Sequence, residues 1–523
     1  MAYKYSKIDN DNLGWFKKDM SKKTLLGIQL FEGNIRGLFP FMIDFQYPIT
    51  VFAGKNCSGK STMLALSSCA FHNNSDGYKL PFRKIPYYTF SDFFIQSHEE
   101  MPPQGIKIRY KILHDNWRPI KSMPNGKGIG TQLRVKKTGG KWNDYSKRVK
   151  RNVVYLGIDR VVPYSEKNVY KNYRSLFSKR DPLGWEGKVK DTVGKILGKN
   201  YDDFWFINHG KYRIPVVKVG NYVYSGFNMG AGENALFEVF SIIYGCPKGV
   251  LIVIDEIELG LHEEAINKFI QELKSVCLSQ KAQIVATTHS QTVLRNVPPV
   301  GRFYIETIGK ETILTDSITA LYAAGRLAGE NSNELDIFVE DGIAKKTLEL
   351  ALSTELRSRI NILSIGSSSA IAWQLAARYK TLKKGECVAV LDGDKKGSFE
   401  ETKTIFCKAL ETVNSSEEVE NWLNQRLEYL PGDTWPESWV LNEIKKGECK
   451  FLCSLLNIEK DILIKIIEEA LLAGKHHEFY TIAAKVNLDR DLIISACAKE
   501  AIDMHTSSFH VLSKFITKRL NET

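Results

Sequence analysis

Hydrophobic and polar positions along the chain follow one pattern before Asn234 and another after it. In the first part, short apolar runs alternate with polar positions or carry β-branched residues, as β-strands do. These predicted strands are TLLGIQLF, FMIDFQ, ITVFAG, KIRYKIL, QLRVKK, VVYLGI, RIPVVKVG and NYVYS. Between them, segments 114–131 and 136–152 are rich in Gly, Asn and Lys, which predicts exposed basic hairpins or loops.

From Asn234 onward, apolar strands alternate with helical segments. The predicted strands of this part are GVLIVID, QIVATTH, DIFVE, NILSIG and CVAVLD. Such alternation is typical of folds in which helices cover both faces of a parallel sheet. After about residue 445 only helical periodicity remains, as in KDILIKIIEEALLAGK and RDLIISACAKEAIDM. The pattern therefore predicts an α/β protein with a helical C-terminal region.

Length and composition narrow the class of protein. Because 523 residues exceed what one small core can organise, two or three domains are expected. The segment MAYKYSKIDNDN lacks the apolar centre of a signal peptide, and no apolar run approaches the roughly 18 residues of a membrane span. The nine cysteines include no CxxC pair, which favours reduced thiols. These features predict a soluble, cytoplasmic protein without a membrane partner.

The charge balance adds a hint about partners. The chain carries 72 Lys and Arg against 60 Asp and Glu, a net charge of +12. Such an excess favours a polyanionic partner, nucleic acid above all, although a solvated basic surface explains it equally well.

The clearest motif is FAGKNCSGKST at residues 52–62, between the strand ITVFA and an apolar helix. It predicts a phosphate-binding loop for ATP, in which Lys60 reaches the β/γ oxygens and Ser61 ligates Mg²⁺. Cys57 stands where glycine is common, and a small thiol fits there if its backbone dihedrals are ordinary. The predicted nucleotide-binding residues of this loop are Gly54, Asn56, Ser58, Gly59, Lys60, Ser61 and Thr62.

Two later segments complete a predicted ATPase site. The strand VLIVIDE at 250–256 ends in Asp255 and Glu256, carboxylates suited to orienting Mg²⁺ and to activating water. The strand QIVATTHS ends in His289, which is predicted to sense the γ-phosphate, although a lone histidine is more often structural.

With NMGAGE at 228–233, these motifs resemble the ABC-type ATPase heads of SMC-like and related DNA-acting proteins. The resemblance implies a homodimer or higher oligomer, in which the signature motif of one subunit closes over ATP held by another. Gly230 stands where the family usually has serine, so one hydroxyl contact is missing. The resemblance places further residues near the nucleotide, namely Gly230, Gly232 and Glu233 in trans, His262 in the D-loop-like ELGLHEEA, and Arg36 and Arg160. A transporter ATPase would not need the C-terminal half, and sustained heptads for long SMC arms are absent.

A second set of carboxylates follows predicted strands of the C-terminal half. Glu340 ends LDIFVE, and Asp392 and Asp394 end CVAVLDGD. Carboxylates at the carboxyl edge of a parallel sheet converge and repel, and one or two divalent cations relieve the repulsion. Such ions support phosphodiester cleavage. The alternative is that DGD is an ordinary turn and Glu340 a solvated strand end.

This order of a glutamate strand, a Gly-turn strand and a DxD strand resembles the TOPRIM domain of topoisomerases, primases and some nucleases. An ABC-type head followed by TOPRIM resembles the OLD (overcoming lysogenization defect) family of ATP-dependent nucleases over about residues 24–440. The resemblance implies Mg²⁺ or Mn²⁺ at the three carboxylates, DNA cleavage, and bacterial anti-phage defence, with a retron reverse transcriptase and its DNA as possible partners. It implies three regions, namely an ABC-type ATPase domain at 1–328, a TOPRIM nuclease domain at 329–445 and a helical region at 446–523.

Two positions depart from the TOPRIM pattern. Many such domains have glycine directly after the glutamate and aspartate four positions after it, where this chain has Asp341 and Ala344. Asp341 or Glu437 is a candidate replacement ligand. Lys395 and Lys396 are candidates for the lysine that the family places near the reacting oxygen, although both could be solvated.

Three functional hypotheses remain open. The leading one is a metal-dependent endonuclease gated by ATP, acting on DNA, with RNA or tRNA as other substrates. The second is an ATP-driven clamp or scaffold whose TOPRIM-like domain docks nucleic acid without cutting. The third is reversible strand cleavage, which requires a nucleophilic tyrosine that the sequence does not single out.

Overall fold

The computed structural model describes residues 3–72, 78–81, 83–95, 97–100, 105–137, 142, 148–328, 333–381, 387–410 and 417–522. The chain forms two compact units, one from Lys4 to Glu330 and one that combines Met1–Tyr3 with Asn331–Thr523. They are called the first and second unit below.

The first unit combines strands and helices throughout its length. Its strands are β1 Thr24–Glu32, β2 Phe41–Asp44, β3 Ile49–Ala53, β4 Ile106–His114, β5 Gly128–Lys136, β6 Val153–Leu156, β7 Ser178–Lys179, β8 Asp203–His209, β9 Tyr212–Val219, β10 Tyr222–Ser225, β11 Leu251–Ile254, β12 Gln283–Thr287, β13 Arg302–Ile308 and β14 Glu311–Asp316. Its helices are α1 Lys7–Lys18, α2 Lys60–Ser68, α3 Phe90–Phe93, α4 Asn168–Asn172, α5 Glu186–Leu197, α6 Ala231–Gly245, α7 Glu263–Gln280, α8 Gln291–Asn296 and α9 Ala320–Ala328.

One sheet of the first unit positions the predicted ATPase motifs. Among the described residues it has the strand order β14-β13-β3-β12-β11-β6. Strands β13, β3, β12, β11 and β6 pair in parallel, and β14 is antiparallel. Because β3, β12 and β11 are neighbours, the segments that follow them meet at one edge of the sheet. The parallel sheet predicted from strand–helix alternation is confirmed here.

Two further sheets of this unit are antiparallel, with the orders β2-β1-β4-β5 and β10-β9-β8-β7. The prediction of exposed basic loops is wrong in part. Strand β5 already begins at Gly128, and Arg148 and Arg151 are buried. Arg151 donates to the carbonyl oxygen of Gly249 at 2.7 Å, and burial lowers the pKa of its guanidinium to about 9. Some of the basic side chains therefore lie in the interior, where they bind backbone carbonyl groups, and do not belong to a nucleic-acid surface.

The second unit contains a parallel sheet with the order β16-β15-β17-β18 among the described residues. Its strands are β15 Leu335–Val339, β16 Ile360–Ser364, β17 Cys387–Leu391 and β18 Leu427–Tyr429. Its helices are α10 Gly342–Ala351, α11 Thr354–Arg357, α12 Ser368–Lys380, α13 Phe399–Leu410, α14 Glu417–Asn424, α15 Pro436–Lys446, α16 Lys450–Leu456, α17 Lys460–Leu472, α18 Glu478–Val486, α19 Arg490–Met504 and α20 Thr506–Glu522.

The C-terminal helices share a hydrophobic core with this sheet. Ile337 of β15 and Val388 of β17 belong to the same buried cluster as Leu463, Phe479 and Ile493. Helices α17, α18 and α19 therefore pack into the same core as the sheet of the second unit. Over the described part of the chain, no helix combines the length and apolar character that crossing a bilayer demands.

Candidate functional site

The predicted phosphate loop connects β3 to α2, and close packing explains both of its glycines. A β-carbon added at Gly54 would lie 2.4 Å from the carbonyl oxygen of Ile305. Gly59 has φ +98°, and a β-carbon there would lie 2.3 Å from Leu38 Cδ2. Since real β-carbons do not approach so closely, the loop conformation depends on glycine at both positions.

The loop presents donors that suit a polyphosphate. Lys60 is buried, and its Nζ donates to the carbonyl oxygens of Gly54 and Lys55, both at 2.8 Å. Burial lowers the pKa of Lys60, while nearby carboxylates, chiefly Glu256, raise it. Ser58 Oγ is buried without a hydrogen-bond partner. This orphaned hydroxyl, the lysine and the N-terminus of α2 fit phosphate oxygens.

The remaining loop residues differ in exposure. Asn56 and Ser61 are exposed, and Thr62 is buried in the first turn of α2. Cys57 is exposed and has φ +64°. The condition of ordinary dihedrals for this thiol is therefore not met, because its backbone lies in the left-handed region that favours glycine.

Asp255 and Glu256 follow β11, and hydrogen bonds with two other side chains hold them in place. The hydroxyl of Thr287 donates to Asp255 Oδ1 at 2.6 Å and accepts from the backbone N–H of Glu256 at 2.7 Å. Arg160 donates to the carbonyl oxygens of Asp255 and Glu256, both at 2.6 Å. Glu256 has φ +46°, a conformation that non-glycine residues hold only when neighbours enforce it. Arg160 thus positions the backbone of the two carboxylates.

Glu258 is a residue that the sequence did not single out. Its carboxylate accepts from the Thr288 hydroxyl at 2.7 Å and from the backbone N–H of His289 at 2.6 Å. It therefore ties the turn after β11 to the end of β12, next to the exposed His289. The available signal was the third carboxylate of IDEIE, at the point where the D-loop-like segment begins.

The signature-like segment begins helix α6, and its two glycines have different surroundings. Gly230 is exposed and has open space where a β-carbon would lie. At Gly232 a β-carbon would lie 2.0 Å from the carbonyl oxygen of Gly260. Gly232 therefore allows α6 to pack closely on the loop after β11 within the same chain, and Gly230 remains accessible.

Three residues that were predicted to lie near the nucleotide have other partners. Glu233 is buried and accepts hydrogen bonds from the hydroxyls of Tyr201 at 2.5 Å and Tyr224 at 2.9 Å. His262 caps helix α7 through Nδ1. Arg36 is exposed and donates to a backbone carbonyl oxygen at 2.6 Å. These contacts argue against a nucleotide role for Glu233, because its carboxylate is already committed inside its own unit.

In the second unit, three predicted carboxylates follow neighbouring strands. The backbone N–H of Asp392, after β17, donates to Glu340 Oε1, after β15, at 3.1 Å. Asp392 is 6% exposed, and Asp392 Oδ1 and Asp394 Oδ1 are buried without a hydrogen-bond partner. Burial, with Glu340 next in importance, raises the pKa of Asp392 to about 8. Buried carboxylate oxygens without partners suit a divalent cation, so these residues fit the predicted metal.

Cationic side chains approach the same carboxylates. Lys395 Nζ lies 3.3 Å from Asp394 Oδ2, and Lys475 Nζ lies 3.9 Å from the same oxygen. Lys396 instead donates to the carbonyl oxygen of Gly432 at 2.6 Å. Of the two lysines considered from sequence, Lys395 lies at the cluster. Lys475 comes from the turn after α17, and no local motif indicated it.

The two departures from the TOPRIM pattern have clear structural roles. Ala344 is fully buried in the core of the second unit, so its position offers no ligand. Asp341 caps helix α10, with Oδ1 accepting from the backbone N–H groups of Ile343 at 2.9 Å and Ala344 at 2.7 Å. Glu437, in the first turn of α15, is 1% exposed.

Residues 221–295 match the family model described as "AAA domain, putative AbiEii toxin, Type IV TA system". This range contains the NMGAGE segment, Asp255, Glu256 and His289. This part of the first unit therefore resembles an AAA-type ATPase domain. The matched range covers a small part of the chain, and no curated protein matches the sequence.

Solved structures similar to this chain include SMC heads. The SMC head domain from Thermotoga maritima has a TM-score of 0.32 and 14% identity, covering 56% of this chain and 98% of that one. An SMC head bound to the C-winged helix domain of ScpA has a TM-score of 0.36 and 13% identity, covering 56% and 98%. An SMC head with an extended coiled coil, bound to the C-terminal domain of ScpA derived from Pyrococcus furiosus, has a TM-score of 0.34 and 12% identity, covering 56% and 96%.

The packing of α6 in the first unit gives a first testable prediction. Gly232→Ala should lower the stability of this unit by about 1–3 kcal/mol, because the added methyl overlaps the carbonyl oxygen of Gly260. Gly230→Ala is the matched control, since its β-carbon enters open space. Thermal unfolding of both variants measures the effect. Equal unfolding temperatures for the two variants would contradict the close packing at Gly232.

The raised pKa of Asp392 gives a second prediction, for protein in EDTA. The folded state favours the protonated carboxyl, so its contribution to stability is present at low pH. That contribution falls as pH rises from the unfolded value of 3.8 to about 8. At pH 8, Asp392→Asn should therefore unfold several degrees above the wild type, at about 2–4 °C for each kcal/mol.

Two further unfolding measurements test the role of Asp392, one with added Mn²⁺ and one with a surface variant as control. Mn²⁺ should raise the unfolding temperature of the wild type at pH 8 far more than that of Asp392→Asn. Asp433→Asn is the control, because the Asp433 side chain is 93% exposed and its neutralisation should leave the pH profile unchanged. A pH profile of Asp392→Asn that matches the wild type would show that burial and the neighbouring carboxylates do not raise the pKa of Asp392.

Proposed function

We propose that this protein is an ATP-dependent, metal-dependent endonuclease of the OLD type, cleaving DNA. The observation that carries the proposal is the cluster of Glu340, Asp392 and Asp394, in which Asp392 is buried and two carboxylate oxygens have no hydrogen-bond partner. The same chain also carries the predicted ATPase motifs. In this proposal the ATPase domain spans residues 1–328, a TOPRIM nuclease domain spans 329–445 and a helical region spans 446–523.

The chemistry proposed for the second unit follows from its charges. Glu340, Asp392 and Asp394 would hold Mg²⁺ or Mn²⁺, which supplies an activated water and stabilises the leaving oxygen of a phosphodiester. Lys395 and Lys475 flank Asp394, and they are placed to neutralise a phosphate of the bound strand. The acidic cluster alone would repel that strand, so these lysines assist substrate binding.

The chemistry proposed for the ATPase unit rests on the loop after β3 and the turn after β11. Lys60 binds the β/γ-phosphates, and Ser61 and Asp255 hold Mg²⁺. Glu256 orients the attacking water, and His289 senses the γ-phosphate.

The accessible Gly230 supports pairing of two ATPase units, because an exposed helix N-terminus can approach a nucleotide held by a second copy. ATP binding would then favour a paired state, and its hydrolysis would release that state. Such a two-state element gates the nuclease of the same chain.

A role in bacterial anti-phage defence follows from the OLD resemblance. The matching family model is described as a putative toxin of a type IV toxin–antitoxin system. A toxic nuclease has to be kept inactive in its own cell until it is needed. A retron reverse transcriptase with its DNA is one candidate for the restraining partner.

Cleavage assays with two substrates test this proposal. Purified protein is incubated with supercoiled plasmid or with tRNA, in Mg²⁺, Mn²⁺ or EDTA, with and without ATP. The proposal expects nicked or linear plasmid that requires the metal and depends on ATP. Intact plasmid and intact tRNA under every condition would overturn the nuclease, and cleavage of tRNA with intact plasmid would overturn DNA as its substrate.

A non-cutting clamp is the second candidate function. It is favoured by Ala344, which stands buried where the family usually has an aspartate ligand. A clamp would retain DNA in an ATP-dependent manner and leave both strands intact in the same assays.

A further inference from the structure

A second group of potential metal ligands lies in the same unit. It contains none of Glu340, Asp392 and Asp394, and it brings the two candidate replacement ligands, Asp341 and Glu437, together with a histidine. Asp341, Glu437 and His476 each offer one ligand atom, and these atoms lie within 4.8 Å of one another. They come from three separate parts of the chain. Asp341 caps α10, Glu437 lies in the first turn of α15, and His476 lies between α17 and α18.

Glu437 shows that the group is incomplete as it stands. It is 1% exposed, and its Oε1 lies 2.8 Å from His476 Nδ1. Its Oε2 is buried without a hydrogen-bond partner. Burying such an oxygen alone costs free energy, so a bound cation explains it better than the single hydrogen bond does.

The other two ligands have capacity left for an ion. Asp341 uses Oδ1 to cap α10, and no hydrogen bond involves its second oxygen among the described contacts. The side chain of His476 is 57% exposed, which leaves an entry path from solvent. One imidazole with two carboxylates suits Mn²⁺ or Zn²⁺, whereas Mg²⁺ and Ca²⁺ prefer oxygen ligands alone.

We propose that Asp341, Glu437 and His476 form a cation site for a first-row transition ion, which fastens the C-terminal helices to the sheet of the second unit. The ion joins the turn before α18 to the starts of α10 and α15. Since Lys475 precedes His476 and lies 3.9 Å from Asp394, the same ion fixes the position of this lysine at the neighbouring carboxylates. The site stands on its own ligands and does not require the chain to be a nuclease.

Metal titration of the full chain tests the site. Chelator-treated protein is titrated with Mn²⁺ or Zn²⁺ by calorimetry, without nucleotide, for the wild type, His476→Ala, Glu437→Gln and Asp392→Ala. His477→Ala is the matched control, because it removes the adjacent exposed imidazole. We expect both His476→Ala and Glu437→Gln to lose one bound ion or to bind it at least tenfold more weakly, as is usual for loss of a ligand. His477→Ala should match the wild type, and Asp392→Ala should retain this ion.

Thermal unfolding provides a second readout that also reports folding. Zn²⁺ should raise the unfolding temperature of the wild type and of Asp392→Ala, but not that of His476→Ala. Equal stoichiometry and affinity in His476→Ala and the wild type would overturn the site. Loss of the ion in Asp392→Ala alone would assign the binding to the other carboxylates. Because the readout is binding, absence of DNA cleavage would refute the nuclease and leave this result unaffected.

Discussion

Lys60→Ala is expected to reduce ATP hydrolysis by a factor of at least about 100, the usual loss for removal of one group that stabilises the transition state. Lys60 is buried in the loop between β3 and α2, and its Nζ is held by the carbonyl oxygens of Gly54 and Lys55. The oxygens of a bound phosphate would replace these carbonyl oxygens as hydrogen-bond acceptors of Lys60 Nζ. No neutral side chain can replace a cation at that position.

The control for this prediction lies in the same loop. Lys55 is exposed, so Lys55→Ala should hydrolyse ATP within about threefold of the wild type and should bind nucleotide normally. Release of phosphate from ATP measures both variants, and thermal unfolding confirms that both are folded. Substantial hydrolysis by folded Lys60→Ala would place the ATPase site elsewhere in the chain.

Asp392→Ala is expected to abolish DNA cleavage, with a loss of about 1,000-fold or more, and to leave ATP hydrolysis intact. Asp392 adjoins Glu340 and Asp394, and its Oδ1 is buried without a partner. Removal of this carboxylate would deprive the proposed cation of a central ligand, and metal-dependent activation of water would be lost.

Asp433→Ala is the matched control for Asp392→Ala. The Asp433 side chain is 93% exposed, and it lies 3.7 Å from Lys396. Its removal should leave plasmid nicking within about threefold of the wild type, as for other exposed charges. Equal loss of nicking in both variants would mean that general charge, and not a specific ligand, governs the reaction.

Sequence alone predicts those strands of this fold whose own residues form an uninterrupted apolar run. It misses strands whose polar residues are buried through tertiary contacts. Strands β3, β11 and β12 were predicted because each is an apolar run that leads into a recognisable motif. These motifs are the phosphate loop, the pair Asp255 and Glu256, and His289. Strands β13 and β14 were not, because polar residues interrupt their apolar pattern. Arg302 begins β13, yet it is buried and donates to the carbonyl oxygen of Val297 at 2.6 Å. That compensation depends on tertiary contacts, which no local pattern reveals.

The same distinction applies to the candidate sites. The loop from Gly54 to Thr62 is contiguous, so its spacing alone predicts a phosphate site. The signature-like motif does not reveal that the Glu233 carboxylate accepts hydrogen bonds from two tyrosine hydroxyls. Lys475 and His476 lie far along the chain from Asp394 and Glu437. Their contribution depends on how the C-terminal helices pack, and it becomes visible only in the folded chain.

We propose that one chain holds an ATPase and a separate metal-dependent nuclease. A single reaction tests this most directly, in which phosphate release and plasmid nicking are measured together with Mn²⁺ and ATP for the wild type, Lys60→Ala and Asp392→Ala. We expect Asp392→Ala to hydrolyse ATP but not to nick DNA. We expect Lys60→Ala to lose hydrolysis, together with any response of nicking to ATP. Nicking by Asp392→Ala at the wild-type rate would show that the nuclease does not use the carboxylates of the second unit.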